Sequence, residues 1–182
     1  MSISVYDLMV DCSIPYQHIE TFSLENIINK HATLTVLLFL GDDVKEKALM
    51  PLKNTEIVLR HRQSNEIYFH GIVATQLTQL RKNDLYLELT AFSQSINSDI
   101  QQKSQTFQNE AQHYDQIFQQ IAQKNQGNYS AVVNTKHSIG TWMLQNKITD
   151  WEFLLEMARR LKTFIVVDET APLFSFEVGI RK

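Results

Sequence analysis

The first ninety residues read as strands, apolar throughout or alternating apolar with polar positions, separated by polar turns. Ala32 to Leu40 is rich in Leu, Val, Phe and Thr and runs into Gly41-Asp42-Asp43, a turn cluster. Thr55 to Arg62 places Ile57, Leu59 and His61 on one face and Glu56, Val58, Arg60 and Arg62 on the other. Gln63-Ser64-Asn65 separates it from Glu66 to Leu80, which predicts a hairpin. After the turn Arg81-Lys82-Asn83-Asp84, the residues Leu85, Leu87, Leu89 and Ala91 line one face of a further strand. Tyr16 to Phe22 reads as an earlier strand of the same sheet. Sequential strands joined by short polar turns predict an antiparallel sheet over about residues 3 to 95, curled into a barrel or sandwich.

The period changes after Phe92. Gln94 to Gln126 is rich in Gln, Asn and Ser, and Tyr114, Ile117, Phe118, Ile121 and Ala122 recur at helical spacing up to a stop at Gly127. Tyr129 to Val133 and Ile139 to Gln145 are short strand candidates. Thr149-Asp150-Trp151-Glu152 fits a capping box, with Ile148 and Phe153 at the positions of a hydrophobic staple. In the helix that follows, Trp151, Leu154, Leu155 and Ala158 form the expected buried stripe, and Arg159, Arg160 and Lys162 sit in the last turn, where cations suit the dipole. Thr163 to Val167 and Leu173 to Ile180 read as two strands around a turn containing Pro172. Two strands are too few for an independent sheet domain. The expectation is that they open a second β domain that continues after Lys182, or that they complete the earlier sheet.

The composition narrows the function classes. A chain of 182 residues at 43% hydrophobic can bury a proper core. Its formal charge of −3, from 17 basic and 20 acidic side chains, supplies no field that would draw the whole molecule onto nucleic acid or an anionic membrane. The lone Cys12 permits no intrachain disulfide and suits folding in a reducing cytoplasm. Met1 to Val10 lacks the basic and apolar regions of a signal peptide, and the longest apolar run, Val36 to Leu40, falls far short of the roughly 20 residues of a membrane span.

Two stretches resemble a known family when taken together. Ile67-Tyr68-Phe69-His70-Gly71-Ile72-Val73, followed by the strand to Phe92, resembles the F-x-G-I-V-T hairpin of the contractile-tail hub family that includes VgrG proteins, phage late-control protein D and phage baseplate hubs. Thr149 to Arg160 is similar to that family's S-D-W-x-F-L-x-R-L-A helix. Between them, Ser104-Gln105-Thr106-Phe107-Gln108 and the helix from Tyr114 resemble its S-x-x-F-Q segment and I-x-x-I helix. One departure is that the family often has Gly just after the second helix, where this chain has Leu161-Lys162-Thr163.

The resemblance implies an α+β fold, mainly antiparallel β. Residues 1–95 would be a barrel-like tube domain, 96–162 a helical connecting region, and 163–182 the opening strands of a second β domain or strands completing the first. It also implies a structural role without catalytic activity or cofactors: three copies, each giving two barrels, form a pseudo-sixfold ring that adapts a tail tube to a central spike. The implied partners are other hub subunits in a homotrimer, tube proteins and spike proteins, with no nucleic-acid binding and no membrane insertion. The place would be the bacterial cytoplasm during assembly and the virion or injection apparatus afterwards. Core roles are expected for Phe69 and Gly71 in the hairpin and for Trp151, Phe153, Leu154 and Ala158 in the helix. Arg60, Arg62, Phe107 and Trp142 are the candidate interface residues.

Other chemistry is thinly represented. His137 and Ser138 with Asp150 have the residue types of a hydrolase triad, but no Gly-x-Ser-x-Gly turn surrounds Ser138. The six histidines lack i, i+4 pairs, so no ordinary zinc set is legible. Asp42-Asp43 reads as a turn rather than a cation site. The rival readings are a stand-alone barrel binding an oligonucleotide or glycan, which would need a basic groove with exposed aromatics, and a tail-associated cell-wall hydrolase.

Overall fold

The computed structural model describes residues 4–41, 51–82 and 84–179. The Asp42-Asp43 turn, Asn83 and the predicted strand end at Ile180 lie outside the described residues. The chain divides into two compact units, one drawn from Met1–Glu25 and Ala32–Ser93, the other from Asn26–His31 and Gln94–Lys182.

The first unit is a six-stranded antiparallel sheet. Its strands are β1 (Leu8–Asp11), β2 (His18–Glu25), β3 (Thr33–Phe39), β4 (Glu56–His61), β5 (Ile67–Arg81) and β6 (Asp84–Ser93), in the spatial order β1-β4-β5-β6-β3-β2. The alternation read from sequence sets which side chains face in: Leu34, Val36, Leu38, Ile57, Leu59, Phe69, Val73, Leu87, Leu89 and Ala91 are all fully buried. β1 and β2 occupy opposite edges, yet only the residues Cys12–Gln17 join them. Fully drawn out, that link would span about 25 Å, hardly more than the roughly 24 Å across a flat six-stranded sheet. The link is not drawn out, because the Tyr16 hydroxyl turns back to accept from the Val10 amide at 2.7 Å. The sheet must therefore curl, giving a half-barrel. Register shifts between Ile19 and Thr21, Leu59 and Arg60, and Val73 and Thr75 add local twist in the same sense.

Gly71 occupies an inward position between Phe69 and Val73. A Cβ there would lie 2.2 Å from the Phe92 carbonyl oxygen and 2.5 Å from the Phe69 ring, so the absence of a side chain is what lets β5 and β6 close over that ring.

The second unit opens with a 3-10 turn at Gln94–Asp99 and contains β7 (Lys103–Phe107), α1 (Tyr114–Lys124), β8 (Asn128–Ala131), β9 (Met143–Ile148), α2 (Asp150–Arg160), β10 (Ile165–Val167) and β11 (Ser175–Val178). β7 and β9 form an antiparallel ribbon. β10, β11 and β8 form a separate three-stranded sheet in which β11 and β8 run parallel, so the last two strands join this sheet and not the six-stranded one. The core is aromatic. Phe118 meets Tyr129 at 5.4 Å and Phe176 at 6.3 Å, Phe174 stacks on Phe176 at 5.0 Å, and Phe107 stacks on Phe153 at 5.4 Å.

Both helices end as Schellman motifs without glycine in the left-handed position. For α1 that position is Gln126, at φ 56°, with Gly127 N donating to Ala122 O at 2.8 Å and Gln126 N to Gln123 O at 3.0 Å. Gly127 is thus not the left-handed residue the sequence pointed to. It is required because a Cβ would sit 1.9 Å from the Phe174 carbonyl oxygen. For α2 the left-handed residue is Lys162, at φ 52°, with Thr163 N donating to Ala158 O at 3.0 Å and Lys162 N to Arg159 O at 3.0 Å. The buried stripe of α2 comprises Asp150, Trp151, Phe153, Leu154, Met157 and Ala158. Leu155, expected in that stripe, is only half-buried because the helix turns its Met157 side inward instead.

Candidate functional site

The N-terminus of α2 gathers two of the three polar clusters of the second unit. Thr149 caps the helix as the sequence predicts: its hydroxyl accepts from Glu152 N at 3.1 Å, and the Glu152 carboxylate accepts from Thr149 N at 2.8 Å. The next residue, Asp150, has a side chain only 1% exposed. Its carboxylate accepts from Lys103 Nζ, from Asn125 Nδ2 at 2.8 Å and from Gln145 Nε2 at 3.1 Å. Burial alone would raise the Asp150 pKa, but these three donors outweigh it and hold the carboxyl below its ordinary value. The network continues outward, with Gln105 Nε2 donating to Gln145 Oε1 at 2.6 Å and Lys124 Nζ to Gln105 Oε1 at 2.8 Å. It thereby fastens β7, β9, α1 and α2 to one carboxylate.

A second cluster adjoins it. The Thr149 hydroxyl donates to Asp99 Oδ1, while Asp99 Oδ2 lies 3.3 Å from His31 Nε2. His31 Nδ1 lies 2.7 Å from the Ser95 hydroxyl, and its ring rests on Trp151 with centroids 4.5 Å apart. Burial lowers the His31 pKa, and the Asp99 carboxylate only partly offsets that effect. Ser95, His31 and Asp99 have the composition of a hydrolase triad, but the serine is on Nδ1 and the acid on Nε2, the reverse of the protease arrangement. Ser95 is 2% exposed, and its carbonyl takes a further bond from Ser98 Oγ at 2.7 Å. The cluster is built to hold the segment Asn26–His31 in place. That segment also covers the outer edge of β10: Asn29 N donates to Ile165 O at 2.8 Å, Asn29 Oδ1 accepts from Ile165 N at 2.9 Å, and Asn26 Nδ2 donates to Val167 O at 3.0 Å.

A third cluster sits at the start of α1. The Tyr129 hydroxyl bonds Asp115 Oδ1 at 3.0 Å and Thr135 Oγ1 at 2.9 Å, and burial together with that carboxylate pushes the phenol up to about 12.

The residues singled out from sequence are distributed as follows. Trp151, Phe153, Leu154 and Ala158 are buried in the second unit, and Phe69 is buried in the first. Phe107 is also buried, on the Phe153 ring, whereas Trp142 is 58% exposed just ahead of β9. Arg60 is engaged within the first unit, with Nη2 on Asp11 Oδ1 at 3.0 Å and Nη1 on Asn65 Oδ1 at 2.9 Å, and Arg62 donates to Leu8 O at 3.3 Å. His137 and Ser138 are exposed on the segment that pairs with His113, and no hydrogen bond joins them to Asp150. The Cys12 thiol is pushed up, first by burial, while it donates to Ile14 O at 3.3 Å. Among the described residues no set of three His, Cys, Asp or Glu side chains is placed to hold a metal ion, and no helix is long and apolar enough to cross a membrane. The Asp150 and His31 clusters are not legible in the sequence because most of their contacts join residues 25 to 68 apart, and only the Thr149 capping box announces them.

This combination of a curled antiparallel sheet with a helical, mixed-sheet unit is the fold of phage-tail and type VI secretion tail proteins. A tail protein from Neisseria meningitidis MC58 shares it at TM-score 0.70 and 12% identity, over 95% of this chain and 50% of that one. A 43 kDa tail protein of prophage MuSo2 from Shewanella oneidensis matches at TM-score 0.75 and 10% identity, over 97% and 54%. An Escherichia coli component of the type VI secretion system, described as structurally similar to the T4 bacteriophage tail proteins gp27 and gp5, matches at TM-score 0.71 and 12% identity, over 94% and 48%. The chain therefore spans about half the length of the solved structures it matches. No curated protein matches it in sequence. The chain belongs to the Alg8 N-terminal domain family, whose match covers residues 24–172.

Proposed function

We propose that the chain is a structural, non-catalytic part of the baseplate hub of a phage tail or phage-tail-like contractile injection system. The observation that carries this reading is the extent of the shared fold: nearly the whole chain, both units included, follows tail-protein structures at TM-scores of 0.70 to 0.75. The polar clusters support it, since each fixes one element of the second unit to another. In this role the chain assembles in the bacterial cytoplasm as part of a homotrimeric ring between tube and spike, and then resides in the virion or injection apparatus.

Deleting the gene in its host and imaging lysates by negative-stain electron microscopy tests the proposal. The expected result is loss of complete tails, with free tube or sheath material, restored by a plasmid copy. Normal particles in the deletion strain would overturn it. Peptidoglycan release by the purified chain, absent in a Ser95→Ala variant, would replace it with the hydrolase reading.

A further inference from the structure

We infer that a cavity at the C-terminal end of α2 is a docking site for an acidic peptide segment carrying an aromatic or aliphatic anchor residue. The cavity, about 370 Å³, is lined by Asn29, Leu155, Arg159, Lys162, Thr163 and Phe164. That volume suits one or two side chains. Its floor is apolar and wet: Phe164 is 44% exposed, and Leu155 is turned away from the core stripe of its own helix. Its rim is cationic. Arg160 pairs with Glu156 at 3.3 Å, but Arg159 and Lys162, both exposed, take no carboxylate partner among the described residues.

Two details separate this rim from ordinary helix-end charges. The carbonyls of Met157, Ala158 and Arg159 in the last turn of α2 are already satisfied by the backbone bonds from Leu161, Thr163 and Lys162, so no side chain is needed to cap them. Lys162 also occupies a left-handed position, where glycine would be the more comfortable residue; keeping a lysine there keeps a cation at the cavity mouth against a backbone cost.

The occupant follows from charge and hydrogen bonding. Two cations over an apolar floor match a carboxylate or two beside a buried side chain. A nucleic acid would need a longer cationic track, and the chain's net charge of −3 works against a polyanion. Asn29 points the same way: its Oδ1 is held by Ile165 N, which leaves its Nδ2 without a partner among the described residues and free to donate to a peptide carbonyl. This site does not depend on ring formation and stands apart from the assembly role.

The test uses a fluorescently labelled synthetic peptide with a central Phe flanked by Asp and Glu, read by anisotropy and by backbone amide shifts of the full chain. Saturable binding is expected, with shifts at Leu155, Lys162 and Phe164, at least ten-fold tighter than a matched Asn/Gln peptide and weakened as salt rises. Arg159→Gln combined with Lys162→Gly should weaken it ten-fold or more, as should Phe164→Ala. Because Lys162→Gly relieves the left-handed strain, its urea midpoint should not fall, which separates lost binding from lost folding. Equal binding of the amide peptide, no shifts at these residues, or tighter binding of a single-stranded oligonucleotide at the same place would overturn the inference.

Discussion

Trp151 shows how much one side chain carries here. Its ring lies against His31 and is buried at the start of α2, where the Asp150 and His31 clusters meet. Trp151→Ala removes a large buried ring, and a loss of about 3–5 kcal/mol is expected in urea unfolding. A loss under about 1 kcal/mol would mean that the ring is not part of the core. Gly71 works in the opposite direction, through an atom it lacks. With the Phe92 carbonyl oxygen 2.2 Å from the site of a Cβ, Gly71→Ala must push β5 and β6 apart, at an expected cost of about 1–3 kcal/mol. The same denaturation experiment measures it, and an unchanged midpoint would show that the close approach is absent. The hydrophobic pattern revealed Trp151 as a stripe residue, but the need for glycine at 71 depends on a carbonyl across the hairpin, which the local sequence does not display.

At the scale of elements, the pattern was legible wherever apolar side chains face one way. β4 and β6 show their faces by alternation, β3 and β5 are marked by the turn clusters that bound them, and α1 shows its helical period. β7 is not legible as a strand because two of its three inward positions, Lys103 and Gln105, meet Asp150 and Gln145, which leaves Phe107 as its one apolar inward residue. β1 was missed because four residues ending at Asp11 are too short to show a period. The buried clusters make a pH prediction. His31 has a folded pKa below its ordinary value, so below about pH 6.5 the unfolded chain binds a proton that the folded chain still refuses. Stability should fall as pH drops from about 6.5 and level off below the folded pKa. Asp150, held low, acts in a more acidic window: its contribution is intact above about pH 3.9 and is lost as pH falls through the folded value. Urea midpoints between pH 7.5 and 5 test the first part. The slope should be smaller in His31→Gln than in the native chain, and equal slopes would remove His31 as the source.

For the whole molecule, the chain spans about half of the tail structures it follows. If the ring contacts are shared between two barrels per subunit, this stretch alone should be a monomer or a weak self-associating species. Light scattering over a concentration range reads this directly, and a tight, concentration-independent trimer would show that the residues present suffice for the ring.

The excursion of Asn26–His31 out of the first sheet limits how the protein can be dissected. A reader of the sequence would place a single cut near Ser93 and treat the two sides as independent modules. Such a cut strips the second piece of a strap encoded near the start of the gene, baring Ile165 and Val167 along β10 and the face of Trp151 that His31 covers. Modularity in space is here not modularity along the gene: recombination or cloning that exchanges residues from 94 onward must carry a compatible loop at 26–31 with it.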